Sequence, residues 1–367
     1  MGKTDRRQEE VTMQSIRVEK VTVPKEKPDS GKLGFGKYFT DHMFVMEYSE
    51  GQGWHDARII PFGNLSLSPA STVFHYGAEI FEGLKAYRTP DGGVQLFRPS
   101  ENFARMNNSA ERICLPQLDA DFALSALIQF VDMERDWVPS AEGTSLYLRP
   151  FLIGNDESLG VHSVHNAMYV VIASPVGSYY PEGINPVKIM IETKDARAVR
   201  GGTGYAKCGG NYAASSRAGE IAEKKGFSQV LWLDGVERKY VEEVGAMNVM
   251  FKIDGTVVTP ALTGSILPGV TRKSCIQLLG DMGIPVEERL LSVDELIDAA
   301  ESGKLEEAWG CGTAAVVSPI GQLSYEGVSH VVNGGGIGKT TQSLYDTLTG
   351  IQWGRLPDKY GWTVEVK

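Results

Sequence analysis

The stretch Arg200-Gly-Gly-Thr-Gly-Tyr-Ala-Lys-Cys-Gly-Gly-Asn-Tyr212 sets one amine, Lys207, in a run where five of the ten residues from Gly201 to Gly210 are glycine. Glycine reaches positive φ and lets the backbone pass close to a bulky ligand. A lysine held there and partly desolvated can lose its proton near neutral pH and form a Schiff base with a carbonyl compound. On composition alone the same residue reads as a solvated loop lysine, so its role turns on the rest of the chain.

Other residues invite chemistry in the same way. Ser145-Leu-Tyr-Leu-Arg149 alternates, so a strand there projects Tyr147 and Arg149 from one face, either into a site or into solvent. Taken alone, Glu243 reads as a surface carboxylate on a hairpin that also carries Glu237 and Glu242. His162 and His165 lack a third ligand nearby, and no metal site is expected. Gly334-Gly-Gly-Ile-Gly-Lys-Thr340 resembles a nucleotide phosphate loop, with Val230 to Asp234 as its metal-binding strand. The glycine that the loop's spacing requires is replaced by Asn333, so nucleotide binding is the disfavoured rival.

The elements that must position these residues belong to an ordinary globular chain. With 367 residues, two domains are expected. A net charge of -10 and a pI near 5.2 argue against nucleic acid or an anionic membrane as partner, leaving small molecules and other subunits. Cys114, Cys208, Cys275 and Cys311 form no Cys-x-x-Cys, which suits a reducing compartment. The first residues are charged, and no apolar run reaches the roughly 20 residues of a membrane span, so a cytoplasmic location is expected.

Residues up to about Lys32 are polar and predict a loosely held arm. Strands over Thr40 to Tyr48 and Arg58 to Phe62 flank a hairpin loop at Glu50-Gly-Gln-Gly53, and a strand pair surrounds Asp91-Gly-Gly93. Leu124, Leu127, Ile128 and Val131 mark the buried face of a helix over Asp121 to Glu134. Ala167 to Pro175 reads as an apolar strand, and Val187 to Glu192 as a strand leading to the lysine loop. A helix runs from about Asn211 to Lys225, and the capping box Ser292-Val-Asp-Glu295 opens another that ends near Gly303. Asp234-Gly235 and Asp254-Gly255 signal hairpins. The order predicts an α+β fold of largely antiparallel sheets flanked by helices, without βαβ alternation. The expected division is a small N-terminal α+β domain over 1–176 that includes the arm, a linker over 177–186, and a larger domain over 187–367 carrying Lys207.

Lys207-Cys-Gly-Gly-Asn-Tyr212, Glu243-Val-Gly-Ala-Met-Asn248, Leu267-Pro-Gly-Val-Thr-Arg272 and Gly310-Cys-Gly-Thr-Ala314, in that order, resemble the branched-chain amino acid aminotransferases. Phe39-Thr-Asp-His-Met43, Phe74 to Lys85 and Ser145 to Pro150 match the same family, and the resemblance runs from about Gly34 almost to the C-terminus. It implies the two-domain fold type IV of pyridoxal-phosphate enzymes, with Lys207 as the catalytic, cofactor-bearing residue. It also implies that Glu243 pairs with the pyridine nitrogen and Tyr212 with the phenolic oxygen. Arg105, the Val270 and Thr271 amides and the Thr313 hydroxyl would take the phosphate.

For the substrate, the resemblance implies an apolar lining of Phe35, Tyr76, Phe81, Tyr147, Tyr179 and Ala246. Thr313 and Ala314 would bind the α-carboxylate, and Arg149 the second carboxylate of glutamate. Leu159 and Val161 match a loop given by a neighbouring subunit, so a homodimer is implied. The expected activity is reversible, ping-pong transamination of leucine, isoleucine and valine with 2-oxoglutarate. Within the fold the rivals are a D-amino acid aminotransferase and an aminodeoxychorismate-lyase-like enzyme. Ala315 and Ser318 stand where some members carry a Cys-x-x-Cys redox pair, so no such switch is expected. Met250 replaces the aromatic residue of the family signature.

Overall fold

A computed structural model describes residues 15–177 and 184–367. Two nine-stranded sheets organise an α+β chain. The first is built on Ser145–Gly154 and Asn166–Val176, antiparallel from Ser145 opposite Val176 to Gly154 opposite Ala167. The hairpin of His42–Ser49 and Gly53–Pro61 extends it on one side, and the hairpin of Leu84–Arg88 and Val94–Phe97 on the other. Both turns fall where the glycine clusters predict them. The last strand, Thr363–Glu365, returns to this sheet and pairs with Val94–Phe97.

The helix Ala120–Met133 lies within two residues of its expected bounds, opened by Asp119, whose carboxylate accepts from the Asp121 and Phe122 amides. Its buried face is centred on Ala123, Ala126, Leu127, Phe130 and Val131, whereas Leu124 and Ile128 lie at the margin. Small alanines let the helix lie close to the sheet, a preference that a leucine-weighted periodicity does not register.

Two expectations are corrected. The described part of the arm is not loose: Arg17–Val18 pairs in parallel with Gly53–Pro61, the Val21 amide donates to His42 Nε2 at 2.9 Å, and the Lys25 amide to Asp41 at 2.7 Å. Buried acceptors hold these amides, and Ile16 packs against the core, so the polarity of the segment gives little sign of it. The second sheet is also not free of βαβ units. Val187–Ile191 and Gln229–Leu233 are parallel around the helix Gly209–Lys224. Thr256–Pro260 and Val286–Arg289 are parallel around Val270–Asp281. The Asp-Gly turns that dominate the local pattern hide these nonlocal pairings.

Those turns differ from each other. Asp254 and Gly255, at φ 49° and 79°, close a two-residue turn between Ile253 and Thr256, as a tight hairpin requires. Asp234 instead closes a longer loop, its carboxylate accepting from the amides of Val236, Glu237, Lys239 and Tyr240.

The loop of Gly334 to Thr340 does run into a helix, Lys339–Gln352, as a phosphate loop would. Its N-terminus is already taken: the buried Glu307 carboxylate accepts from the Thr340 amide at 3.0 Å and from the Thr341 amide and hydroxyl, each at 2.8 Å. An anion from the chain itself stands where a nucleotide phosphate would sit. Glu307→Ala is expected to cost about 2 kcal/mol of stability, since it strips a buried helix end of its acceptors. Urea unfolding of the two proteins measures this.

Candidate active site

Lys207 is placed by both halves of the chain. Its carbonyl accepts from the Phe81 amide at 2.9 Å, Cys208 bridges to Ile80, and its amide donates to the Ser109 hydroxyl at 2.9 Å. Strand Glu79–Phe81 and helix Pro99–Arg112 therefore hold the lysine backbone from the first half. Two residues on, the helix Gly209–Lys224 packs in the second. The glycine-rich loop is folded onto this helix by Asn211, whose amide donates to the carbonyls of Thr203 and Ala206 at 2.8 Å each. Of its five glycines only Gly201 takes positive φ. Gly204 serves close approach instead, since a Cβ there would lie 2.2 Å from the Ser265 carbonyl oxygen.

The Lys207 amine donates to the Tyr212 hydroxyl at 2.8 Å and lies 4.8 Å from the Phe81 ring centroid. Burial pushes it below the ordinary lysine range and Arg105 pushes it further, while Glu82 acts in the other direction. Burial also pushes the Tyr212 hydroxyl up to about 12. An amine that sheds its proton more easily, facing a hydroxyl that keeps its own, is poised as a nucleophile and a base.

Glu243 is buried, not on the surface, and lies directly opposite Asn248 in its hairpin. Together these two hold the turn at Leu267: Glu243 accepts from its amide at 2.8 Å, and Asn248 donates to its carbonyl at 2.9 Å. Burial pushes the Glu243 carboxyl up, and Arg197, whose Nε lies 3.2 Å from its other oxygen, opposes that. Sequence reading missed Arg197, which has no motif of its own and meets Glu243 and the Ser265 carbonyl.

After Leu267 the chain enters Val270–Asp281 with Gly269 at the N-cap, and no side chain caps this helix among the described residues. Val270 and Thr271 thus begin a helix whose first amides suit an anion. Arg105 reaches the same turn, its Nη1 donating to the Pro268 carbonyl at 3.1 Å. The rest of its guanidinium grips Glu82 in a bidentate pair of 2.8 and 2.9 Å, and Asn102 donates to Glu82 at 2.8 Å. Burial raises the Glu82 carboxyl, but Arg105 prevails and holds it below the usual range. Sequence reading also missed Glu82. Its position beside Phe81 in the quoted run was the available signal.

Next to the amine lies a stack of rings and one cation. Phe81 packs on Tyr212 with centroids 4.9 Å apart, and Arg149 lies 4.7 Å over Phe81 and 5.3 Å over Tyr147. Arg149 also donates to the Tyr147 hydroxyl at 3.1 Å, and Phe35 meets Tyr147 edge-on at 4.9 Å. The shared strand face of Tyr147 and Arg149 therefore points into the site. The buried Nε of Arg149 has no hydrogen-bond partner among the described residues, which leaves a donor for an incoming acceptor. Ala246 lines the cavity with Lys207, Tyr212, Glu243 and Arg197. Thr313 and Ala314 lie in the turn between Leu305–Gly312 and Val316–Tyr325, where buried Lys85 donates to the Ala314 carbonyl at 2.9 Å. Tyr76 joins a separate group, its hydroxyl donating to the Leu159 carbonyl, and Leu159 and Val161 are 68% and 83% exposed. Tyr179 lies outside the described residues.

These residues fit a planar aldehyde that carries a ring nitrogen and a phosphate. The cavity offers a partly buried amine, a buried carboxylate and a hydroxyl beside the amine, and the turn that follows Leu267 leads to an uncapped helix N-terminus next to an arginine.

Comparison with known proteins agrees with the motifs. Residues 79–323 match the model of the amino-transferase class IV family. The chain is 54% identical over 356 residues to branched-chain-amino-acid aminotransferase 2 of Bacillus subtilis, covering 97% of this chain and 98% of that one. It is 48% identical over 330 residues to a probable branched-chain-amino-acid aminotransferase of Streptomyces coelicolor, covering 90% and 91%. Among solved structures, the Escherichia coli branched-chain amino acid aminotransferase superposes with a TM-score of 0.74 at 26% identity, covering 88% of this chain and 99% of that one. A T.th. branched-chain amino acid aminotransferase with pyridoxamine 5'-phosphate also gives 0.74, at 27% identity, covering 92% and 99%.

Glu82→Gln would leave the buried Arg105 uncompensated, and a loss of about 3–5 kcal/mol in urea unfolding is expected. Because Glu82 raises the Lys207 pKa, its neutralisation should also move the pH profile of Lys207 chemical modification to lower pH.

Proposed function

The chain belongs to the class IV aminotransferases, and on that premise we propose that it transaminates leucine, isoleucine and valine with 2-oxoglutarate, giving branched-chain 2-oxo acids and glutamate, reversibly and by a ping-pong route. The observation that carries the reading is a desolvated Lys207 amine set between Tyr212, the Glu243 side of the cavity and the Arg105 side. Bound there, pyridoxal 5'-phosphate supplies an electron sink for the charge left at the substrate Cα when its proton departs.

The chain's own residues do the rest. Lys207 would hold the cofactor through its amine and would serve as the base that moves the proton at the substrate Cα; its lowered pKa supports that role. Glu243, faced by Arg197 and the Leu267 amide, supplies negative charge to the ring nitrogen. Tyr212 would donate to the ring oxygen. Arg105, the Val270 and Thr271 amides and Thr313 would hold the phosphate, and the uncapped helix start supports that assignment.

One pocket must then accept an apolar side chain and, in the other half-reaction, a carboxylate. Phe35, Phe81, Tyr147 and Ala246 offer the apolar surface, and Arg149 the charge. The unpartnered Arg149 Nε supports a role in carboxylate binding. The Thr313 and Ala314 amides take the α-carboxylate. We also propose that the enzyme is a cytoplasmic homodimer in which Tyr76, Leu159 and Val161 complete the neighbouring subunit's pocket. Apolar side chains as exposed as Leu159 and Val161 support such a partner. No helix among the described residues is long and apolar enough to cross a membrane.

A visible absorbance spectrum of the cofactor-loaded enzyme tests the main reading. Leucine should bleach the cofactor band and 2-oxoglutarate restore it, with both effects absent in Lys207→Ala. A band indifferent to leucine would rule out the branched-chain assignment. Arg149→Gln should raise KM for glutamate by about tenfold, the worth of one charge-assisted hydrogen bond, and KM for leucine by less than about threefold.

A further inference from the structure

Strand Glu79–Phe81 runs antiparallel to Ser145–Gly154 along the edge of the substrate pocket, with Glu79 opposite Ile153 and Phe81 opposite Phe151. Alternation places Glu79 and Phe81 on one face and sends Ile80 into the core. Phe81 is the ring on which Arg149 lies, so Glu79 shares its face with the ring beneath the substrate-binding cation.

The Glu79 carboxylate is half-buried and pressed against the first turn of the helix that follows Lys207. A Cβ at Gly209 would lie 1.8 Å from Glu79 Oε1, so the absence of a side chain at Gly209 is what admits this carboxylate. Burial pushes the Glu79 carboxyl up, while the Gly209 amide and the Arg149 charge hold it down. The Arg149 charge reaches Glu79 and stabilises its carboxylate, yet no ion pair joins them among the described residues. Arg149 is oriented by the Tyr147 hydroxyl and the two rings instead. Glu79 therefore contributes charge to the pocket without holding its cation in place.

We propose that Glu79 is a specificity-determining residue: a fixed carboxylate beside Arg149 that weakens binding of the dicarboxylate substrate and leaves branched apolar substrates untouched. The inference rests on the reading of Arg149 as the carboxylate-binding group. An incoming carboxylate must share the field of Arg149 with Glu79 and be repelled by it, because like charges at this range in a partly desolvated site oppose each other. An aliphatic side chain carries no charge for Glu79 to act on.

The test uses cofactor-loaded enzyme at about pH 8, with two unreactive probes, glutarate and 4-methylvaleric acid, titrated calorimetrically. Glu79→Gln should tighten glutarate binding by roughly three- to tenfold and change that of 4-methylvaleric acid less than twofold. In an Arg149→Gln background the same substitution should change glutarate binding less than twofold. Glu79→Ser removes the charge by a different route and should reproduce the result, which separates charge from packing. An equal change for both probes, weaker glutarate binding, or an effect that persists without Arg149 would overturn the proposal. If wild-type enzyme binds both probes and transaminates leucine while the variants fail these expectations, only the role of Glu79 falls. If wild-type enzyme binds neither probe, the functional reading falls with it.

Discussion

Burial and nearby positive charge each make a lysine amine readier to lose its proton, and a place that combines them is costly to build. Arg105 and Arg149 both depress Lys207, and Arg105 is itself buried. Glu82 makes this tolerable. Its carboxylate, 1% exposed, binds the Arg105 guanidinium through both oxygens and keeps the net charge around the amine bounded. The same guanidinium donates to the Pro268 carbonyl, so one ion pair contributes both to the electrostatics around the lysine and to the support of the turn before Val270.

The site exists only where the two sheets meet. Lys207 is hydrogen-bonded to strand Glu79–Phe81 and helix Pro99–Arg112 before its own helix begins in the second sheet. The opposite wall is built by a different device: Glu243 and Asn248, face to face across a hairpin, take the amide and carbonyl of Leu267 and so fix the start of the helix at Val270. Both helices that open onto the site are crossovers between parallel strands. Their N-termini therefore emerge beside the strand ends, where backbone amides suit an anionic group.

On the proposed reading, a single pocket serves two unlike side chains. Rings line it and the Arg149 cation lies over two of them, so an apolar side chain meets hydrocarbon while Arg149 keeps a donor in reserve. On that reading, electrostatic differences at the edge of the pocket add to its shape in discriminating between substrates.

Local rules made much of this legible. The hairpins at Gly51 and Gly92, the tight Asp254-Gly255 turn, the helix after Asp119 and the shared face of Tyr147 and Arg149 all follow from short-range pattern, because turn geometry and side-chain alternation are local properties. The ordered motifs singled out Lys207, Tyr212 and Glu243, and the family resemblance they carry added Arg105. Sequence could not show that Arg105 is held by Glu82, that Glu243 is backed by Arg197, that the described arm is strapped to Asp41 and His42, or that two crossovers run parallel. Each of these joins residues distant in the chain or without a motif of their own. Charge pairing and desolvation depend on distance in space, and only the folded chain sets that distance.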